Sequence, residues 1–295
     1  MFIQSIQSRV TFKTMLNYIE VLKPRETVLL TFIGFCAAVI ASGGQPPIDI
    51  LLLATLAILL GSSGANGITN YLDREVDARM QRVSHRPLPS KRIFPAWKML
   101  PLAIGLSVGA LIIAWFLHPL CFLFGLLGIT AASTWRKRIT CAFPQGAVAG
   151  CSPVLIGYVA ISHQLDLTIL LLCILITLWT PLHVWSVMIA NREDYRQAGI
   201  TYFPISWEVK DAIKVLLLLA VLLLGSSISL YYFSDSGLGM PYLVAASILG
   251  TLTVFTTARL VLTGISHDAW RVYKLTAFPF LGILFLTMVL DLWLL

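Results

Sequence analysis

Residues 50–79 read ILLLATLAILLGSSGANGITNYLDREVDAR, and this stretch decides the fold class. A helix needs about 20 mostly apolar residues to cross the hydrocarbon core of a bilayer, and the run ending near residue 71 supplies them. Ser63, Asn66 and Asn70 recur at helical spacing on one face, which Asp73 and Asp77 continue. Such a stripe is costly against lipid, so it must face the interior of a helix bundle. Gly61, Gly64 and Gly67 lie beside it and permit close helix approach. Asn66 has an equally simple reading as a bond to a neighbouring helix. Asp73 and Asp77 are harder to explain that way, because carboxylates one turn apart repel unless a cation lies between them.

Eight further stretches have the same apolar character. With the first, the spans expected are 27–43, 50–71, 97–117, 119–135, 145–162, 166–190, 212–233, 238–262 and 274–295. The 295 residues are 58% apolar and 12% charged, with a mean hydropathy of +0.85, too little polar surface for a soluble domain. The expectation is an all-α integral membrane protein with nine transmembrane helices. Residues 1–295 form a single membrane domain in this reading, with 1–26 a cytoplasmic N-terminal segment. Those first residues lack the pattern of a cleavable signal, and Met15, Tyr18, Ile19 and Leu22 suggest a short interfacial helix. Cys36, Cys121, Cys141, Cys151 and Cys173 show no metal or redox spacing and read as packed small residues.

Charge gives the orientation. With the N-terminus in the cytoplasm, all 21 Lys and Arg fall in cytoplasmic segments or at cytoplasmic span ends. The outer loops near 44–49, 118, 163–165 and 234–237 contain none, as the positive-inside pattern requires. Basic residues placed this way serve topology in the lipid bilayer, and they argue against a nucleic-acid partner.

A second polar cluster, Asn191-x-x-Asp194, ends the sixth span as the first ends the second span. Four spans separate them, so both lie on the same side, and the spacing suggests two four-helix halves closed by a ninth helix. The longest connections, near 78–96 and 195–211, follow the two clusters and read as lids or binding loops. The sixth span also holds Leu178-Trp179-Thr180-Pro181-Leu182-His183-Val184-Trp185. At the helical rise His183 sits about 12 Å deeper than Asn191, suited to a cavity wall and equally to a bond with another helix.

These residue types point to metal-bound anion chemistry. Mg²⁺ prefers oxygen ligands and binds through one or two carboxylates together with substrate phosphates. Asp73, Asp77 and Asp194, with the amide oxygens of Asn70 and Asn191, offer such a set from two helices. Arg82 and Arg86 precede Pro87 at i, i+4 and share a face if that loop is helical. Lys23-Pro24-Arg25 opens the first span and Arg136-Lys137-Arg138 follows the fourth. Any one of these cations is commonly a lipid-interface anchor, but as a group beside two acidic clusters they suit a diphosphate. A diphosphate ester in a membrane implies a prenyl tail between helices, ionising toward an allylic cation as its leaving group is stabilised. No Ser-His-Asp or Cys-His arrangement is evident. Transport chemistry would place ionisable groups near the bilayer midplane, where most of these spans have none.

The run Asn70-Tyr71-Leu72-Asp73-Arg74-Glu75-Val76-Asp77, followed by Arg82 and Arg86-Pro87-Leu88-Pro89, resembles the first aspartate-rich motif of the UbiA-type intramembrane prenyltransferases. Lys23-Pro24-Arg25-Glu26, the Trp179–Trp185 run and Asp194-Tyr195-Arg196-Gln197-Ala198-Gly199-Ile200 before Phe203-Pro204 resemble its heme-farnesylating branch. The resemblance spans nearly the whole chain. It implies a UbiA-type bundle with a cytoplasmic-facing active site and Mg²⁺-dependent transfer of farnesyl from farnesyl diphosphate to a vinyl group of heme b. Hydration then gives heme O, with a heme A synthase or terminal oxidase assembly as a partner. By position it implies metal and diphosphate binding by Asp73, Asp77 and Asp194, supported by Asn70 and Asn191. Arg86 and Lys23 would contact diphosphate, with Arg74, Arg82 and Lys137 as further candidates and His183 as a heme-facing one. The chain departs from the pattern at Thr69 and His85, each where Asn is usual, and at Asn191 and Tyr195 in a less acidic second motif. The nearest alternative is a relative acting on an aromatic or quinone precursor. The lack of an Arg-rich transit segment favours a prokaryotic plasma (inner) membrane.

Overall fold

The computed structural model describes residues 13–134, 143–234 and 237–294, and among these there is no strand. A helix over residues 13–21 (α1) ends where Lys23 adopts a left-handed conformation, φ 51° and ψ 65°. Pro24, whose fixed φ suits a first helical position, then opens α2 (Pro24–Ala41). The remaining helices are α3 (Ile48–Asp77), α4 (Leu100–Leu117), α5 (Pro119–Thr134), α6 (Gln145–Ser162), α7 (Leu167–Ala190), the short α8 (Arg192–Gln197), α9 (Val209–Phe233), α10 (Met240–Thr263), α11 (Ser266–Thr276) and α12 (Phe278–Leu294).

Among the described residues, a helix overlaps each of the expected spans, but the count of nine crossings is not matched. Eight segments are long and apolar enough to cross a membrane, whereas α5 is a shorter apolar helix ending at the last described residue before 143. The final segment is not one rod. It breaks at Ala277 (ψ −136°), two residues before Pro279, so α11 and α12 meet at an angle point. Large apolar side chains such as Leu52, Val108, Ile112, Trp115 and Phe255 are exposed on the outside, as a lipid-facing surface requires. The expected interfacial helix is α1. Met15 and Ile19 are exposed on it, while Tyr18 and Leu22 pack against Val21, Leu88 and Met99.

At 30 residues, α3 runs about 45 Å at the helical rise, longer than the hydrocarbon core is thick. Its last turns therefore carry Asp73 and Asp77 to the basic end of the bundle. Three close helix crossings fix where the neighbouring helices stand. A Cβ on Gly157 of α6 would overlap the carbonyl oxygen of Gly34 on α2, and one on Gly34 would lie 2.7 Å from Pro153 O. A Cβ on Gly64 of α3 would strike Ser107 and come 2.6 Å from Ala103 O on α4, and one on Gly128 of α5 would strike Ser152 of α6. Small residues at these points draw the helices together by van der Waals packing, which is how helices associate without water between them. The expected contribution of Gly64 and Gly67 to packing is borne out.

Candidate active site

A cavity of about 330 Å³ lies between α2, α3, α4, α5, α6 and α7. One end is charged: Lys23, Glu26, Asn66, Asp73, Arg82, Arg86 and Tyr195 line it. The other end is apolar, with Ala57, Ile58, Ala110, Ala114, Gly125 and Ile156 on its walls. Ala57 is sixteen residues before Asp73 on α3, so the cavity extends about 24 Å along that helix. Its far end is closed by a packed cluster of Ala54, Ile58, Ala114, Cys121, Ile156, Val159 and Ala160.

The charged end is assembled from backbone devices. Asn70 Nδ2 donates to Val21 O at 2.6 Å, Asn66 Nδ2 to Thr27 Oγ1 at 3.1 Å, and Thr27 Oγ1 to Leu22 O at 2.9 Å. The polar stripe of α3 thus clamps the turn between α1 and α2 at Lys23, whose Nζ lies 3.3 Å from Glu26 Oε2. Asn66 therefore takes the helix–helix bond that its residue type allowed, while still lining the cavity. Asn66→Val removes one hydrogen bond worth about 1 kcal/mol from the clamp. The expected result is a roughly fivefold higher KM for a prenyl diphosphate with kcat within twofold, measured by steady-state kinetics. A proportional fall in kcat instead would place Asn66 in the chemical step.

Asp73 and Asp77 are 5% and 1% exposed. Arg86 Nη1 lies 3.5 Å from Asp77 Oδ2, which supplies the cation that two such carboxylates need. Arg82 gives Nη2 to Tyr195 OH at 3.2 Å, and its buried Nε has no partner among the described residues. A buried guanidinium nitrogen at a cavity wall is suited to an anion.

The other expected residues lie elsewhere. Asp194 accepts the backbone N–H of Gln81 at 2.6 Å and of Arg82 at 3.3 Å, because the loop folds over α8 and needs those donors satisfied. It lines a second pocket with Asn191, Glu193 and Gln197, one loop away from Asp73. Asn191 donates Nδ2 to Val187 O at 2.7 Å, ending α7. Among the described residues no three His, Cys, Asp or Glu side chains group to hold a metal. Arg74 turns outward, its guanidinium 4.3 Å from the Tyr71 ring centroid and 3.3 Å from Glu75. Residues 78–95 are a chain of turns, not a helix, since Pro87 and Pro89 forbid one, yet Arg82 and Arg86 both still reach the cavity. That loop packs on the next through Met80, Val83, Tyr195, Ala198 and Ile205. Lys137 lies outside the described residues, as does Cys141.

His183 lines the cavity on the α7 side, stacked between Trp179 (4.9 Å) and Tyr273 (4.7 Å). Pro181 and Thr180 precede it without breaking α7. Tyr273 belongs to the wall and escaped the sequence reading, as did the site role of Glu26, which was quoted only within the Lys23–Glu26 run. Glu26 could have been found as an acid in the first turn of an otherwise apolar helix, whereas nothing local marks Tyr273.

As a donor set, Asp73 and Asp77 fit Mg²⁺, which takes one or two carboxylates and leaves its other positions to water and phosphate oxygens. The whole cavity, cationic and acidic at one end and apolar at the other, has the chemistry to take an amphiphile with an anionic head. Residues 28–288 match the UbiA prenyltransferase family, and the chain belongs to that family. It is 34% identical to a protoheme IX farnesyltransferase of Desulforudis audaxviator, over 94% of this chain and 88% of that one. Its fold is similar to that of a solved digeranylgeranylglyceryl phosphate synthase, with TM-score 0.77 and 19% identity over 96% of this chain and 100% of the other. A UbiA homologue from Archaeoglobus fulgidus bound to GPP and Mg²⁺ gives TM-score 0.65 and 15% identity, covering 92% of this chain and 99% of the other.

Proposed function

We propose that this prenyltransferase moves a farnesyl group from farnesyl diphosphate to the vinyl group of heme b, with addition of water, releasing diphosphate and heme O. The observation that carries this reading is one cavity with three kinds of wall: a charged mouth, a blind apolar tube, and the aromatic flank of Trp179, His183 and Tyr273. The identity to a protoheme IX farnesyltransferase supports the acceptor and the farnesyl donor.

Lys23, Arg82 and Arg86 bind the diphosphate, and Asp73 and Asp77 hold Mg²⁺ beside it. When bound, Mg²⁺ neutralises charge developing on the leaving diphosphate oxygen. The C1–O bond breaks with its electron pair going to diphosphate, and Ala65 and Gly128 give the allylic cation an apolar, water-poor surround. The vinyl terminus of the acceptor attacks C1. The cation left on the inner vinyl carbon takes the oxygen of water, which loses a proton, and the hydroxyethylfarnesyl substituent results. Asn70, through Val21, keeps Lys23 in place. Asp194 secures the loop above the mouth through the backbone N–H groups of Gln81 and Arg82, and Asn191 ends α7 beside it. The basic end faces the cytoplasm of a prokaryotic inner membrane, 1–295 act as one domain, and a heme A synthase or terminal oxidase assembly receives the product.

Membranes containing the protein are incubated with heme b, Mg²⁺ and farnesyl diphosphate, and extracted hemes are analysed by chromatography and mass. Heme O that disappears with EDTA is the expected result. No new heme beside a working control overturns the acceptor and turns attention to aromatic or quinone precursors. The tube adds a second expectation. Ala114, 2% exposed at its far end, replaced by phenylalanine lowers kcat/KM for farnesyl relative to geranyl diphosphate by about tenfold or more, read in competition assays. An unchanged ratio places the tail elsewhere.

A further inference from the structure

We propose that Arg92, which lies outside the cavity lining, is a positioning residue that sets Lys23 and Arg86 relative to each other at the charged mouth. The inference rests on the reading above, in which those two cations bind the diphosphate of the donor. Each nitrogen of the Arg92 guanidinium is engaged. Nε donates to Ser90 Oγ at 3.3 Å and Nη1 to Asn17 Oδ1 at 2.9 Å. Nη2 donates to Glu20 Oε1 at 3.1 Å and to His85 O at 2.8 Å, and lies 3.0 Å from Glu20 Oε2.

On the loop side these contacts bracket Arg86. His85 O belongs to the peptide that enters Arg86. Arg86 O, in the peptide that leaves it, accepts Ser90 Oγ at 2.6 Å and Ser90 N at 3.0 Å. The Arg86 backbone is thus held from both sides, while its side chain reaches Asp77 and the cavity. On the helix side, Asn17 and Glu20 stand one turn apart on α1. Glu20 O accepts the N–H of Lys23 at 3.2 Å, so the residue whose carboxylate grips Arg92 also closes the turn from which Lys23 projects. Leu88 and Ile93 pack beside Val21, which joins α1 and the loop behind Arg86 into one body.

Arg92 and Glu20 are 41% and 42% exposed, so their ion pair adds little to stability. Geometry is what the network fixes. A planar guanidinium holds several acceptors at set angles, and a small misplacement of substrate-binding groups is costly even when its origin is remote.

The test measures binding of inorganic diphosphate with Mg²⁺, directly and as inhibition against farnesyl diphosphate, on the full chain in nanodiscs. Glu20→Gln is the deciding variant, because bracing and simple charge predict opposite signs. Removing a carboxylate near the mouth draws an anion more tightly if charge alone acts. Loss of the brace instead weakens inorganic diphosphate by about threefold or more. Arg92→Gln weakens it by about tenfold. Arg92→Lys keeps the charge but not the fork, and recovers less than half of that loss. Glu20→Gln combined with Arg92→Gln costs no more than Arg92→Gln alone. Glu20→Gln also covers the case in which an Arg92 variant fails to fold. Unchanged or tighter binding in Glu20→Gln overturns the proposal, as does full recovery by Arg92→Lys. Lys23→Ala and Arg86→Ala are measured beside them. If neither weakens inorganic diphosphate, the diphosphate reading of the mouth falls, and the proposal with it.

Discussion

Replacing Asp73 and Asp77 together by asparagine is expected to leave a folded, membrane-inserted protein whose prenyl transfer falls at least ~10³-fold. Asparagine keeps the shape of each side chain, so α3 and its packing persist. Charge is what changes. Among the described residues the wild-type mouth sets Lys23, Arg82 and Arg86 against Glu26 and Asp73 on its wall and Asp77 paired behind Arg86, three cations against three carboxylates. The double variant leaves the three cations facing one carboxylate, a site that attracts a free diphosphate but cannot hold a divalent cation beside it. Two measurements separate these effects. Metal-free binding of a non-hydrolysable prenyl diphosphate should hold or tighten, whereas turnover with Mg²⁺ collapses. Wild-type turnover in this variant would sink the assignment of the metal to α3.

Gly157→Leu should destabilise the fold by about 3 kcal/mol or more, seen as a lower melting temperature in detergent and loss of monodisperse protein. Most overpacked sites relax by turning a side chain. Here the obstacle is the Gly34 carbonyl on α2, and backbone cannot turn aside. The two helices must separate, and they carry Leu29, Leu30, Pro153 and Ile156 of the cavity wall with them. Activity falls along with stability. A wild-type melting temperature would mean that α2 and α6 cross less closely than described.

The helices were legible because hydrocarbon sets their length and composition, and the polar stripe of α3 was legible because a helical period is easily counted. What could not be read were partners distant in sequence. Asp194 has the residue type and spacing of a metal ligand, yet it accepts two N–H groups from residues 81 and 82. No periodicity reveals that a loop more than a hundred residues earlier needs an acceptor. Asn70 was expected to offer its amide oxygen to a metal, and nothing local in the sequence showed that its Nδ2 also holds Val21 O. The last span was read as continuous although Pro279 stands in it, a signal that was present and could have placed the break at Ala277. His183 lines the cavity, one of the two readings its position allowed, but its contact with Thr276, 93 positions away, could not be read.

The closed floor formed by Ile58, Ala114 and Ile156 makes tolerance to tail length lopsided. A chain one isoprene too short simply leaves part of the tube unfilled and forgoes its dispersion contacts, a graded loss. A chain one isoprene too long meets side chains that are already packed and must force them from their rotamers, a steep penalty. On the proposed function the cavity would measure its donor as a depth gauge does, forgiving of the short and strict with the long. A ladder of donors from dimethylallyl to geranylgeranyl should rise slowly in kcat/KM to the fitted length and then fall abruptly beyond it.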